Sequence, residues 1–119
     1  YFNQIRPNYV IHLAAEVGGL YKNMNQKVQM LEHNLSINLN VLRCCHLFQV
    51  KRCISILSTC IFPDNIGRAY TESDLHIGPP HNSNFAYAYA KRMLDIQVRS
   101  YNQQYGLNYF NVIPNTKTY

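Results

Sequence analysis

Two residues spaced four apart, Tyr87 and Lys91, are the first candidates for chemistry in this 119-residue sequence. Residues four apart on a helix share one face, whereas Tyr89 and Lys91 are two apart and point away from each other. A free phenol has a pKa of about 10, and a neighbouring ammonium lowers that pKa because it stabilises the phenolate. The spacing therefore predicts a general acid or base at Tyr87. Because the chain has ten tyrosines, a solvated surface pair is the open alternative.

A hydroxyl and a thiol, Ser58 and Cys60, lie near the end of the apolar run "RCISILSTCIF" at residues 52–62. The hydroxyl can bond the same carbonyl oxygen that Tyr87 protonates, so Ser58, Tyr87 and Lys91 together predict a carbonyl-reduction site. A thiolate beside a cation is a competent base for the acidic protons next to a ketone. The alternative for Cys60 is a small buried hydrophobe.

Three apolar runs predict the strands that carry these groups. Residues 8–17 read as a first strand buried on both faces, and residues 52–62, which end at Pro63, read as a second. The run "NYFNVIP" reads as a third strand. Residues 63–84 have no sustained period and predict a long loop.

Two helices separate the strands. Apolar residues recur at spacings of three and four from about residue 25 to about residue 48, which predicts the first helix. The second helix is predicted from about residue 84 to about residue 105, with Asn82 and Ser83 as N-cap candidates and Gly106 as the C-cap. The stripes expected to face the core are Val28, Leu31, Leu35, Leu39, Leu42 and Cys45 on the first helix, and Leu94, Val98, Tyr101 and Tyr105 on the second.

This alternation of strands and helices predicts an α/β fold, with right-handed crossovers in a Rossmann-type parallel sheet between two helical layers (αβα). Ligands of such sheets bind beyond the carboxyl ends of the strands. That rule selects residues 14–19, residues 58–63 and the chain from Pro114 onward as the expected site.

Composition argues against several other classes. The net charge is +5, but the 11 basic residues are scattered, so we expect no nucleic-acid partner. The four cysteines show no zinc spacing, so we expect no metal, and His76 and His81 are expected to be solvated loop residues. No apolar run is long enough to cross a bilayer, and we expect a cytoplasmic protein with reduced thiols.

The candidate residues lie in longer motifs that resemble the extended short-chain dehydrogenase/reductases. These motifs are "YAYAK", "LSTC", "HLAA" at residues 12–15 and "VGG" at residues 17–19. Within that superfamily, "STCIFP", "GPPHNSNFAYAYAKRM" and "QQYG" are similar to the GDP-L-fucose synthase family over residues 7–114. The resemblance implies an NADPH-dependent 3,5-epimerase and 4-reductase that converts GDP-4-keto-6-deoxy-D-mannose to GDP-L-fucose, and a homodimer as the full-length form.

The resemblance also implies a role for each matching residue. Tyr87 matches the proton donor to the C4 oxygen, and Lys91 matches the residue that lowers the tyrosine pKa and holds the nicotinamide ribose. Ser58 matches the hydroxyl that positions the keto group, and Cys60 matches the epimerisation base.

The same resemblance predicts further cofactor contacts at the strand ends. Ala14 and Ala15 match the turn that lines the dinucleotide, and Pro114 matches a position of the family motif after the third strand. Asn34 matches a family asparagine on the first helix, with a solvated polar residue as its alternative.

The sequence departs from the family in ways that predict an incomplete site. The glycines at positions 18, 19, 67, 78 and 106 form no G-x-G-x-x-G, and "PNTKTY" does not continue the family motif. We expect residues 1–119 to be a partial NAD(P)-binding domain without the N-terminal glycine-rich βαβ unit or the C-terminal substrate domain, and to be inactive alone. The alternatives are another nucleotide-sugar epimerase or dehydratase of the superfamily, and a non-catalytic truncated module that pairs with full-length subunits.

Overall fold

A computed structural model of the chain describes residues 1–114. One parallel sheet contains three strands in the order β1, β2, β3, so the predicted parallel α/β sheet is confirmed. The strands are β1 (Tyr9–His12), β2 (Arg52–Ile56) and β3 (Phe110–Val112), each shorter than the apolar run that predicts it.

Within residues 1–114, four α-helices connect or precede the strands, and the two long ones match the predicted helices. They are α1 (Phe2–Ile5), α2 (Leu20–Asn25), α3 (Lys27–Leu47) and α4 (Phe85–Tyr105). Among the described residues, no helix is long and apolar enough to cross a membrane.

The predicted cap is confirmed at the end of α4 but not at its start. Gly106 has a φ of 64°, the left-handed conformation that a helix C-cap favours. Asn82 and Ser83 belong instead to a separate 3₁₀ turn, Asn82–Asn84, where the His81 ring accepts a hydrogen bond from the Ser83 amide. The N-cap of α4 is Asn84, one residue later than predicted.

Helices α3 and α4 pack against each other and cover one face of the sheet. The core between them is continuous with the second strand and with the loop that follows it. Its buried members are Leu42, Cys45, Val50, Cys53, Leu57, Ile61, Phe62, Leu75, Leu94, Val98 and Tyr109.

The opposite face of the sheet is open. Tyr9, Ile11 and Leu13 are 65–68% exposed, and Phe110 and Val112 are each 40% exposed. The prediction that the first strand is buried on both faces is therefore wrong for the described residues. Residues 1–114 supply two layers of the expected three, the sheet and one helical layer.

The inward face of α3 differs from the predicted stripe in the first half of the helix. Val28 is 61% exposed and Leu39 is 38% exposed, whereas Met30, Asn34 and Asn38 are buried. The two asparagines turn inward because they hydrogen-bond to the first strand and to the chain that follows it. On α4, Tyr105 is also more exposed than predicted.

Candidate active site

The turn after β2 brings a hydroxyl and a thiol into contact. Beyond Ile56 the chain continues into a 3₁₀ turn, Thr59–Ile61. The Ser58 hydroxyl oxygen accepts a hydrogen bond from the Cys60 amide at 3.4 Å, and the hydroxyl donates to the Cys60 sulfur at 3.2 Å. Both side chains are half-buried at the carboxyl end of the strand.

The first turns of α4 bring an ammonium and a phenol to the same strand end. Lys91 is only 4% exposed, and its Nζ donates to the Ile56 carbonyl at 3.0 Å. The Cys60 thiol is close enough to affect the pKa of both Lys91 and Tyr87. Ser58, Cys60 and Lys91, three of the four residues predicted to be catalytic, therefore lie at one end of β2, and Tyr87 lies one turn before Lys91 on α4.

The pKa of Tyr87 shifts in the direction opposite to the one expected. Burial raises the pKa of Tyr87 above its ordinary value of 10, and the Cys60 thiol raises it further. The predicted decrease is not seen in this structure, where the Lys91 ammonium donates to the Ile56 carbonyl, and a lowering of the Tyr87 pKa by Lys91 stays a prediction. Tyr87 keeps its proton near neutral pH and is suited to donate it.

Burial also keeps the Cys60 thiol protonated. It raises the pKa of Cys60, while the Ser58 hydrogen bond, the amide of Cys60 and the charge of Lys91 oppose the rise without cancelling it. Burial lowers the pKa of Lys91, and the nearby thiol opposes that change. A thiolate at Cys60 therefore depends on the cation beside it.

A buried asparagine holds the chain at the end of β1. The Asn34 side chain accepts a hydrogen bond from the Glu16 amide at 2.9 Å and donates to the carbonyls of Glu16 at 3.0 Å and Met30 at 2.7 Å. Asn34 is 1% exposed, so the alternative of a solvated helix residue is wrong. Its bonds hold the segment that includes Ala14 and Ala15, which present only methyl groups at this end of the sheet.

A second buried polar pair, His12 and Asn38, was not predicted from the sequence. The His12 Nε2 lies 2.8 Å from the Asn38 Oδ1, and both residues are buried. Burial lowers the pKa of His12, the Asn38 hydrogen bond opposes this, and the charge of Lys91 lowers it further. The signal was present in the sequence, since Asn34 and Asn38 are four apart and align with Met30 and Leu42.

A small cavity of about 160 Å³ opens beside Cys60, and its lining includes Thr59, His81 and Asn84. A larger space of about 1280 Å³ lies along the edge strand β3, but none of the four clustered residues lines it. Cys60 lines the smaller cavity, whereas Ser58, Tyr87 and Lys91 line neither space.

The loop histidines have partners, contrary to the expectation that they are only solvated. His76 Nε2 lies 2.8 Å from an Asp95 carboxylate oxygen, and the His81 Nδ1 lies 2.7 Å from the Ser83 hydroxyl. Within residues 1–114, no group of three or more potential metal ligands occurs.

The remaining candidate, Pro114, lies two residues beyond the carboxyl end of β3 and is exposed. A cofactor contact there stays a prediction. The residues of "PNTKTY" after Pro114 lie outside the described part of the chain.

Comparisons with known proteins agree on one family. The family model for the NAD dependent epimerase/dehydratase family matches residues 1–117. A GDP-L-fucose synthase of Dictyostelium discoideum is 54% identical over 114 residues, which are 96% of this chain and 36% of that protein. A probable GDP-L-fucose synthase of Drosophila melanogaster is 49% identical over 113 residues, which are 95% of this chain and 35% of that protein.

A solved structure of a GDP-L-fucose synthetase from Naegleria fowleri, bound to NADP, superposes on this fold. Its TM-score is 0.82 at 55% identity, and the match covers 94% of this chain and 37% of the other. The chain thus spans about a third of the length of the relatives that it matches.

Proposed function

The chain belongs to the NAD dependent epimerase/dehydratase family, and on that premise we propose that it is the catalytic segment of an NADPH-dependent epimerase and reductase. Its substrate is GDP-4-keto-6-deoxy-D-mannose and its product is GDP-L-fucose. The observation that carries the proposal is the contact of the Cys60 thiol with the Ser58 hydroxyl, beside Tyr87 and Lys91. A reductase needs only the phenol, the ammonium and the hydroxyl, so the thiol supports the additional epimerase activity.

In the reduction, Tyr87 acts as the proton donor. Its raised pKa keeps a proton available at neutral pH for the C4 oxygen, which becomes a hydroxyl as C4 is reduced. The Ser58 hydroxyl orients the same carbonyl oxygen. Lys91, whose ammonium donates to the Ile56 carbonyl at the same strand end, holds the nicotinamide ribose in this proposal.

In the epimerisation, Cys60 acts as the base. Protons on C3 and C5 are acidic because the C4 carbonyl stabilises the resulting enolate. The thiolate form of Cys60, which the charge of Lys91 and the Ser58 hydrogen bond favour against burial, takes such a proton and becomes a thiol. Protonation of the enolate from the opposite face then inverts the carbon.

The residues at the strand ends fit one end of a nicotinamide cofactor. NADPH, when bound, supplies the hydride for the carbonyl reduction. Ala14 and Ala15 leave room at the end of β1, and the Lys91 ammonium has further N–H donors besides the one that bonds Ile56. The sequence contains no G-x-G-x-x-G, so the pyrophosphate contacts must come from other sequence in the protein.

We propose that residues 1–119 form part of the nucleotide-binding domain and are inactive alone. The full-length protein should oxidise NADPH steadily when it is given the keto sugar nucleotide, and the 119-residue chain should not. Steady NADPH oxidation by the isolated chain would contradict the proposal that it is inactive alone. A full-length protein that leaves this substrate unchanged would contradict the proposed activity.

A homodimer is the proposed assembly of the full-length protein. Four apolar residues on the outer side of α4, at spacings of four, four and three, are 37–43% exposed and form one stripe, which is Phe85, Tyr89, Met93 and Ile96. Replacing Met93 by Glu should shift the sedimentation of the full-length protein from dimer to monomer, because it places a charge in the stripe. An unchanged dimer would contradict this interface.

We further propose the cytoplasm as the location, which the four free thiols support, since cysteines of cytosolic proteins are usually reduced. Oxidation of these thiols in protein isolated from cells under thiol-trapping conditions would contradict that location.

A further inference from the structure

Arg92, the residue after Lys91 on α4, is a buried cation bonded to backbone carbonyls. It is 4% exposed, its Nε donates to the Ile61 carbonyl at 2.6 Å, and its Nη1 donates to the Gly78 carbonyl at 2.7 Å. Its Nη2 is buried without a hydrogen-bond partner among the described residues. The guanidinium carbon also lies 5.2 Å from the centre of the Tyr89 ring.

Stability alone is a poor reason for this arrangement. Burial disfavours the charged form and lowers the pKa of Arg92, and the two carbonyls it bonds are neutral. Buried charges in proteins are usually paired, and a well-packed apolar side chain often serves stability as well or better. The two carbonyls therefore indicate what the guanidinium does.

Both carbonyls belong to segments that border the Cys60 cavity. Ile61 directly follows Cys60 in the turn Thr59–Ile61, and Gly78 lies in the loop that precedes α4. The bond to Ile61 ties the thiol-bearing turn to α4, and the bond to Gly78 ties the loop to the same helix. Helix α4 thus carries the phenol, the ammonium and the side chain that holds the thiol-bearing turn.

We propose that Arg92 is a positioning residue for epimerisation, which sets the Cys60 thiol relative to Tyr87 and Lys91 by holding the turn Thr59–Ile61 against α4. The inference rests on the proposed function of Cys60. Displacement of a reacting group by about 1 Å costs on the order of 100-fold in rate, so a loosened turn impairs proton removal even when the fold is intact.

The first test measures the position of Cys60 without any catalysis. The rate of Cys60 alkylation by iodoacetamide is measured by peptide mass spectrometry in the full-length protein and in its Arg92→Met variant. We expect Cys60 to react about tenfold faster in the variant, since the turn loses a charge-assisted hydrogen bond. The fully buried Cys45 and Cys53 report on unfolding and should keep their wild-type rates.

Two further variants separate a local effect from general destabilisation. Arg99 lies two turns further along α4, is more than half exposed and bonds Asp95, so Arg99→Met should leave Cys60 unchanged. Arg92→Lys keeps one cationic donor and should give an intermediate Cys60 rate. The proposal is overturned if Cys60 keeps its wild-type rate in Arg92→Met, or if Cys45 and Cys53 accelerate as much as Cys60 in both Arg92 variants.

The second test follows epimerisation itself in the full-length protein. Exchange of the sugar C3 and C5 protons in deuterated water should fall about 10- to 100-fold in kcat for Arg92→Met, with KM within about threefold of wild type and partial recovery in Arg92→Lys. A rise in KM with unchanged kcat would overturn the role. If the wild-type protein catalyses no exchange, the proposed function fails, and the alkylation rates still decide whether Arg92 positions Cys60.

Discussion

Replacing Asn34 by Ala should destabilise the fold and loosen the end of β1. The side chain makes three hydrogen bonds at a position that is 1% exposed, two with the backbone of Glu16 and one with the Met30 carbonyl. A hydrogen bond in a protein contributes about 1 kcal/mol net, so the loss of three gives about 3 kcal/mol. The value is this large because the alanine leaves the Glu16 amide and carbonyl without their partner.

The free energy of unfolding is measured by urea denaturation of the 119-residue chain, followed by circular dichroism. Asn40 lies on the same helix but is exposed, so Asn40→Ala is the matched control and should cost less than about 0.5 kcal/mol. A loss below about 1 kcal/mol for Asn34→Ala, or equal losses for both variants, would refute the reasoning. In the full-length protein, Asn34→Ala should also weaken NADP binding, since the loosened segment includes Ala14 and Ala15.

Three further predictions concern pH. The rate of Cys60 alkylation should still increase above pH 9, because burial raises the pKa of its thiol above the ordinary value of 9.0. Lys91→Met should move the midpoint of this pH dependence higher, since the charge of Lys91 lowers the thiol pKa. A rate that reaches its plateau below pH 9 would contradict this prediction. Burial lowers the pKa of His12 below 6.5, so the unfolded chain takes up the proton first and the free energy of unfolding falls as the pH drops from 6.5. His12→Gln should flatten that fall in urea denaturation at pH 7 and pH 5, and an unchanged slope would count against it. Asp74 accepts hydrogen bonds from Arg68, which hold the pKa of its carboxyl well below 3.8. The free energy of unfolding should therefore fall as the pH drops through and below 3.8, and Asp74→Asn should reduce that loss in acid titrations. A variant with the wild-type acid profile would disprove this prediction.

The position of the candidate site was predictable because parallel topology brings strand ends together. Ser58 and Cys60 follow a strongly apolar run, and the spacing of Tyr87 and Lys91 needs only a helix to place them on one face. Neither inference depends on side-chain detail. The structure brings Ser58, Cys60 and Lys91 to one end of β2, with Tyr87 one turn before Lys91 on α4.

The direction of the Lys91 side chain was not predictable from spacing. A lysine has a long flexible stem, and its ammonium bonds the carbonyl of Ile56 on the neighbouring strand. Helical periodicity describes the neighbours of Tyr87 on its own helix but not an acceptor on another element. Burial, and to a smaller extent the Cys60 thiol, raises the pKa of Tyr87 where a decrease was expected.

The inward face of α3 was mispredicted because polarity was taken as a sign of exposure. Asn34 and Asn38 occupy core-facing positions, where each side chain finds a polar partner on or just after β1. A core face predicted from apolar residues alone leaves out these two asparagines and includes Val28 and Leu39, which are exposed. Two asparagines four apart, in line with Met30, are the pattern that predicts the correct face.

The exposure of one sheet face was not predicted for a different reason, which is the pattern of apolar residues in β1. Successive side chains of β1 point to opposite faces, so Tyr9 and Ile11 share the exposed face. Apolar side chains on a strand face do not show whether a helix of the same sequence packs on that face. The chain spans about a third of the length of its relatives.

The most direct test of the proposed chemistry is proton exchange by the Cys60→Ser variant of the full-length protein. GDP-4-keto-6-deoxy-D-mannose is incubated with the variant in deuterated water, and deuterium at C3 and C5 is measured by NMR, with NADPH oxidation recorded in parallel. We predict that exchange at both carbons stops while reduction at C4 continues. Exchange at the wild-type rate would contradict the assignment of Cys60 as the base and, with it, the epimerase function of this site.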